Sequence, residues 1–387
     1  MKRKHIAIFG STGSIGRNAL CVIDSLGPGY EIVALSAHSS VELLAEQAGK
    51  YKPKYVAVTN ADYAEHLGEL VDDYVEILAG PAALTEIAQL DGVDVILMAV
   101  VGAAGLPALL AAAEKGKTLA IANKEALVIA GELLTEAVKK NGGLILPVDS
   151  EHSAIFQALQ TGSHSEVLKT ILTASGGPFR GATIDDLREV TIQQALSHPT
   201  WKMGPKITVD SATLANKAFE VIETRWLFDM PVEKIEVLVH PESIVHSLVE
   251  FVDGTLIAAL GLPDMCLPIQ YALTYPERVE GIAGHVRLDE VGKLTFEEPD
   301  LETFRALALG FEVARAGGSA PVVFNAANEV AVGEFLAGRI KFTDIVELIE
   351  HCLNRHDVKR HVSLEQIHQV DAWARREVME CLKQKIL

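Results

Sequence analysis

Ile6-Ala7-Ile8-Phe9-Gly10-Ser11-Thr12-Gly13-Ser14-Ile15-Gly16 decides the fold of this chain. Four apolar residues in a row suit a strand buried on both faces, as a parallel sheet requires. Glycines spaced G-x-x-G-x-x-G follow at once and open a helical pattern. Such a turn lets backbone approach a pyrophosphate, and the helix N-terminus behind it offers free N–H groups and positive potential. The bland alternative is a tight strand-to-helix turn that holds nothing. Working outward, apolar runs recur at 32–35, 56–58, 95–98, 119–121 and 144–146, with helical patterns between most of them. This alternation predicts an α/β fold with a doubly wound parallel sheet over residues 1–149.

The second strand leads into Leu35-Ser36-Ala37-His38-Ser39-Ser40. A ribose 2′-hydroxyl calls for an acid at this turn, and none is present. Hydroxyls and a histidine suit a 2′-phosphate, which favours NADPH over NADH.

Texture changes after the first domain. Residues 150–275 hold longer polar loops and a hairpin signal, Asp253-Gly254, between apolar runs 245–252 and 255–260. An α+β catalytic domain is expected there. Scattered Pro, Gly and charge mark 276–300 as a connecting segment, and 301–387 reads as a C-terminal helical bundle.

Bulk properties exclude several classes. The 387 residues carry a net charge of -18, which argues against non-specific nucleic-acid binding. Any anionic ligand must be held by local cations and backbone N–H groups, against the overall field. The four cysteines show no CxxC or other paired spacing, so the chain suits a reducing cytoplasm. Residues 95–113 are uncharged, but Gly102, Gly105 and Pro107 interrupt them, which predicts strand, turn and helix rather than a membrane span. Met1-Lys2-Arg3-Lys4 is basic, yet the apolar stretch behind it is too short for a signal peptide.

Chemistry concentrates at Asp149-Ser150-Glu151, just past the run ending Leu146-Pro147-Val148. Read as an extended segment, residues two apart face the same side. Glu220 is a third acid in a later polar run, and three converging carboxylates need a cation among them. Oxygen ligands select Mg²⁺ or Mn²⁺. The alternative is helix capping for 153–159. Ala122-Asn123-Lys124-Glu125 ends a strand near the sheet's carboxyl edge. Ser175-Gly176-Gly177-Pro178-Phe179 has the hydroxyl and glycines of an anion-binding turn. His198-Pro199-Thr200-Trp201-Lys202-Met203-Gly204 combines an aromatic with Pro and Gly, as a mobile lid would. Asn216, Lys217 and Glu220 share the first turns of an expected helix, where amides and a lysine suit phosphate. Each has a plain alternative: Lys217–Glu220 as a surface ion pair, His198 as a turn cap, Trp201 as core, His246 as a core histidine.

Together these segments resemble the 1-deoxy-D-xylulose 5-phosphate reductoisomerases, NADPH-dependent enzymes of the methylerythritol phosphate route to isoprenoids. The resemblance runs from Gly10–Gly16 through 122–125, 147–153, 175–179, 198–204, 210–220, 240–251 and 262–273 to Asn325-Ala326-Ala327-Asn328-Glu329-Val330-Ala331. It implies that Asp149, Glu151 and Glu220 hold the metal. Ser175, Ser211, Asn216 and Lys217 would bind the substrate's phosphate end, with Ser150 and Lys124 on its hydroxyls and carbonyl. His198 would lie against the substrate beneath Trp201 and Met203. Thr12, Gly13, Ser14 and Ile15 would cradle the cofactor phosphates, His38, Ser39 and Ser40 would meet the 2′-phosphate, and Asn123, Glu125 and Gly204 would contact NADPH. The implied reaction converts 1-deoxy-D-xylulose 5-phosphate to 2-C-methyl-D-erythritol 4-phosphate by retro-aldol and aldol steps, then hydride transfer. A homodimer is also implied. Ala218-Phe219 stands where the family more commonly has Gly-Leu, which predicts local repacking. Two rivals are a semialdehyde-type dehydrogenase, which needs an activated cysteine, and a non-catalytic NADP-binding sensor, which has no use for three metal-type carboxylates.

Overall fold

The computed structural model describes residues 3–201 and 203–386. Met1, Lys2, Leu387 and Lys202, the last within the segment expected to act as a lid, lie outside the described residues. The chain divides into two compact units. One comprises Met1–Ala126, Glu132–Phe156 and Asp264–His285; the other comprises Leu127–Gly131, Gln157–Pro263 and Val286–Leu387.

Among the described residues the first unit carries a seven-stranded sheet. Its strands are β1 (Lys4–Phe9), β2 (Tyr30–Ala37), β3 (Tyr55–Val58), β4 (Glu76–Ala79), β5 (Val95–Met98), β6 (Thr118–Ile121) and β7 (Leu144–Pro147). They run parallel in the order β4-β3-β2-β1-β5-β6-β7. The chain winds outward from β1 in one direction and then from β5 in the other, so the switch point lies between these two strands. In such sheets ligands bind at the carboxyl ends beside the switch point. Ile6, Ile8, Leu35 and Leu97 are fully buried, which explains the unbroken apolar runs. All six strands expected from those runs form. β4 was not legible, because Glu76-Ile77-Leu78-Ala79 is a half-exposed edge strand. Pro147 is tolerated because β7 is the other edge.

The uncharged stretch after residue 95 resolves into β5, a 3-10 turn (Gly102–Gly105) and a helix (Leu106–Glu114). Among the described residues no helix is long and apolar enough to cross a membrane. Helix Cys266–Thr274 belongs to this unit, packing Ile269, Ala272 and Leu273 into the same core as Ile6 and Ile8. Lys4 Nζ fastens it, donating to the carbonyls of Leu273 (2.9 Å) and Tyr275 (3.1 Å).

The second unit holds β8 (Val167–Ala174), β9 (Ile235–Val239), β10 (Val245–Phe251) and β11 (Leu256–Leu260), in the order β11-β10-β8-β9. β8 and β9 are parallel; the other pairs are antiparallel. The expected hairpin forms: Phe251 N–H donates to Thr255 O (2.9 Å), and Asp253 Oδ1 accepts from Thr255 N–H (2.8 Å). Helices Ala215–Leu227, Arg305–Ala316, Ala320–Leu336, Phe342–Arg355 and Leu364–Ile386 supply the helical part. Ala218 sits there against Gly310, and Phe219 meets Phe324 edge-on at 5.2 Å.

Candidate active site

The glycine turn sits at the carboxyl end of β1. Gly10 has φ +85°, and a Cβ there would meet Ala99 O at 2.8 Å, so both the turn and the neighbouring β5 loop require glycine. Gly13 occupies the N-cap of helix Ser14–Leu26, with no side-chain cap and no acid in the first turn. The helix therefore presents its N-terminal N–H groups without a competing carboxylate. Gly10 N–H donates to Ser36 Oγ (2.9 Å) and Ser11 N–H to Ser36 O (2.9 Å). Ser11 Oγ–H donates to Gln47 Oε1 (2.6 Å). These bonds tie the turn to the end of β2, where His38, Ser39 and Ser40 follow; His38 Nδ1 lies 2.9 Å from Thr59 Oγ1. Gln47 escaped the sequence reading because a buried polar helix residue carries no motif.

At the end of β6, Asn123 caps helix Lys124–Asn141: its Oδ1 accepts from Ala126 N–H (2.9 Å). Its Nδ2 donates to Gly102 O (2.7 Å) and to Val100 O, so one side chain joins two loops at the carboxyl edge. Lys124 and Glu125 are both buried.

At the end of β7 the structure corrects the sequence reading. Asp149 and Glu151 do not share an extended segment, because helix Ser150–Leu159 begins between them. Ser153 N–H already donates to Asp149 O (2.8 Å). The physical reason is the helix start itself: an acid at the cap and another in the first turn both face the positive end of the helix. Lys124 Nζ lies 3.2 Å from Asp149 Oδ2, and His152 Nδ1 lies 3.2 Å from Asp149 Oδ1. Ser150 Oγ–H donates to Glu151 Oε2 (2.7 Å). His152 is fully buried and was missed. The signal was available as an i,i+3 spacing, but only once the helix was placed at Ser150.

The second unit gathers His198, Ser175 and Ser211. His198 Nε2 lies 3.0 Å from Ser175 Oγ and 3.1 Å from Ser211 Oγ. Its Nδ1 accepts from Trp201 N–H (2.9 Å) and Thr200 N–H (3.2 Å). An accepting Nδ1 leaves the ring proton on Nε2, aimed at the two hydroxyls. Burial lowers the pKa of His198, in keeping with a neutral ring. The histidine thus caps the turn, as its plain reading had it, and meets both serines as well. Gly177 (φ +65°) passes so close that a Cβ would meet Ser211 O at 2.7 Å. The Trp201 ring is half-buried, 6.3 Å from the ring of His246. Met203 is also half-buried, and Gly204 is exposed at the N-cap of helix Pro205–Ala212.

A turn at Thr213-Leu214, with Leu214 left-handed (φ 60°), joins this helix to Ala215–Leu227. Asn216 Nδ2 donates to Glu220 Oε1 (2.6 Å), and Lys217 Nζ pairs with Glu220 Oε2. Lys217 and Glu220 are buried, which rules out a surface ion pair. A buried pair of this kind is costly to assemble and weak evidence for stability alone.

Burial pushes the Cys266 and Cys352 thiols up to about 12. Protonated at neutral pH, neither supplies the thiolate that semialdehyde chemistry needs.

A glycine turn at the carboxyl end of β1, beside the switch point of a doubly wound parallel sheet, places the first unit among the α/β dinucleotide-binding folds. Comparison with known proteins narrows the class. The family model for 1-deoxy-D-xylulose 5-phosphate reductoisomerase matches residues 6–131, and models for its C-terminal domains match 145–228 and 260–377. The reductoisomerase of Caldanaerobacter subterraneus subsp. tengcongensis is 50% identical over 378 residues, 97% of this chain and 98% of that protein. That of Chlorobaculum tepidum is 49% identical over 380 residues, covering 98% and 100%. The Zymomonas mobilis enzyme solved with NADPH superposes with a TM-score of 0.93 at 40% identity, covering 98% and 99% of the two chains. A reductoisomerase solved with NADPH, fosmidomycin and magnesium superposes with a TM-score of 0.92 at 40% identity, covering 98% of each. The chain belongs to the 1-deoxy-D-xylulose 5-phosphate reductoisomerase family.

Proposed function

We infer that this chain converts 1-deoxy-D-xylulose 5-phosphate to 2-C-methyl-D-erythritol 4-phosphate, with NADPH and a divalent cation. The observation that carries the reading is similarity over nearly the whole chain to relatives of that activity, at 50% identity.

NADPH suits the first unit, which offers an uncapped helix N-terminus at Thr12–Ile15 and no acid from Ser36 to Ser40. We assign the cofactor to Thr12, Gly13, Ser14, Ile15, His38, Ser39, Ser40, Asn123, Glu125 and Gly204. Asp149, Glu151 and Glu220 offer oxygen donors only, the chemistry of a Mg²⁺ or Mn²⁺ set, and we assign the cation to them. When bound, the cation supplies Lewis acidity toward the substrate's carbonyl and hydroxyl oxygens, and NADPH supplies hydride.

The chain's own residues bind and orient. Lys124 holds the Asp149 carboxylate and offsets its charge, and Ser150 orients Glu151 by donating a hydrogen bond to it. Lys124 and Ser150 also face the substrate's hydroxyl and carbonyl oxygens in this reading. Ser175, Ser211, Asn216 and Lys217 receive the phosphate, with the His198 Nε2–H as a further neutral donor. Trp201 and Met203 cover the site and exclude water while carbon–carbon bonds rearrange. In this reading residues 1–149 serve the cofactor and 150–275 the chemistry, except that helix Cys266–Thr274 belongs to the core of the first unit, and 301–387 form the helical part beyond the connecting segment 276–300.

The assembly is a homodimer in this proposal. β11 is an edge of its sheet, with Leu256 50% and Leu260 40% exposed, and an unpaired apolar edge invites a second strand. Four free cysteines favour the cytoplasm. The test is NADPH absorbance with deoxyxylulose phosphate and Mg²⁺, with and without EDTA. Metal-dependent NADPH consumption is expected, and no consumption with Mg²⁺ present would overturn the reading. Light scattering checks the dimer.

A further inference from the structure

Asp210 is a buried acid that the proposed chemistry does not use. Its side chain is 1% exposed, yet Ser211 beside it reaches His198. Asn328 Nδ2, on helix Ala320–Leu336, donates to Asp210 Oδ1 (2.7 Å). Lys206 Nζ, one turn back on the same helix, lies 2.8 Å from Asp210 Oδ2. The same ammonium stands 4.8 Å over the ring of Phe219, and Phe219 packs on Phe324 of the Asn328 helix.

Helix Pro205–Ala212 is eight residues long, with no side-chain cap and a proline at its start. Two turns do not hold themselves in water, so tertiary contacts set the helix's rotation. Adjacent helix residues project about 100° apart. Anchoring Asp210 to Asn328 therefore turns Ser211 toward Ser175 and His198.

We propose that Asn328, with Lys206 and Asp210, is a positioning group for the phosphate end of the substrate, acting through Ser211. The proposal rests on the reading of Ser175, His198 and Ser211 as phosphate partners. Asn328 touches no substrate; it fixes the angle at which the Ser211 hydroxyl is presented. A misdirected hydroxyl weakens phosphate binding and leaves NADPH binding alone.

Four enzymes test this: unaltered, Asn328→Ala, Ser211→Ala and the double variant. Each is measured for substrate KM, NADPH KM, melting temperature and competitive inhibition by inorganic phosphate. Asn328→Ala is expected to raise substrate KM and the phosphate inhibition constant about 3- to 30-fold, with NADPH KM unchanged. In the double variant the effects should fall well short of multiplying, since both act on one hydroxyl. Should Asn328→Ala fail to fold, Asp210→Asn keeps an acceptor for Asn328 and is read in the same cycle, with a smaller rise expected. A lower melting temperature with unchanged KM and phosphate inhibition, while Ser211→Ala raises both, overturns the positioning role and leaves the phosphate site standing. No effect from Ser211→Ala overturns the phosphate reading, and the positioning role with it.

Discussion

Ala218 lies directly against Gly310, so close that a Cβ built on Gly310 would overlap the Ala218 methyl and approach its Cα at 2.7 Å. Helices Ala215–Leu227 and Arg305–Ala316 meet there with one methyl between them. The helix that carries Asn216, Lys217 and Glu220 is seated by this contact.

Gly310→Ala is expected to destabilise the protein by about 1–3 kcal/mol, the usual cost of overpacking. Thermal unfolding checks it. Adding Ala218→Gly should restore only part of the loss, because the methyl overlap goes while the 2.7 Å approach to the Cα of residue 218 stays. A Gly310→Ala protein as stable as its parent would mean that the two helices separate at no cost.

Glu220→Gln removes one anionic ligand of the proposed cation. The Mg²⁺ concentration for half-maximal activity should rise at least about 10- to 100-fold and turnover should drop sharply. NADPH binding, followed by fluorescence, should stay nearly unchanged. Full activity at the parent's Mg²⁺ requirement would remove Glu220 from the metal set.

Lys217→Ala deletes a buried ammonium assigned to phosphate. Charge-assisted hydrogen bonds contribute about 1.5–3 kcal/mol, so substrate KM should rise about 10- to 100-fold. Steady-state kinetics decide it, and an unchanged KM would exclude phosphate binding at this residue.

His198 titrates below the usual imidazole value of 6.5, because burial disfavours its charged form. Between its folded pKa and 6.5 the unfolded chain binds more protons, so its contribution to stability shrinks as pH falls through that window. Protonation also ends the hydrogen bonds that Nδ1 accepts from Thr200 and Trp201. The acid limb of kcat/KM should therefore lie below 6.5, and His198→Gln should remove that limb. A pH profile of the variant matching the parent's would assign the limb to another group.

The site was partly legible. The Gly10–Gly16 strand-to-helix turn was legible, because the left-handed backbone at Gly10 leaves few residue choices there. Lys217–Glu220 was not decidable, since an i,i+3 pair has the same spacing on a surface as in a core. The Asp149–Glu151 geometry was misread because a strand end and a helix start differ by a single residue. Gln47 had no motif at all, and the i,i+3 spacing of His152 to Asp149 showed only once the helix start was placed.

What the sequence determined by itself was the parallel sheet and its glycine turn, because strands buried on both faces must be continuously apolar and a left-handed backbone at Gly10 excludes a side chain. What only the tertiary structure decided was which distant polar residues meet. Helix Cys266–Thr274 returning to the core of β1, His198 meeting Ser175 and Ser211, and Asn328 meeting Asp210 all join residues far apart in the chain. Hydrogen bonds and packing between such residues leave no periodic trace in either segment, so they exist only once the chain has folded.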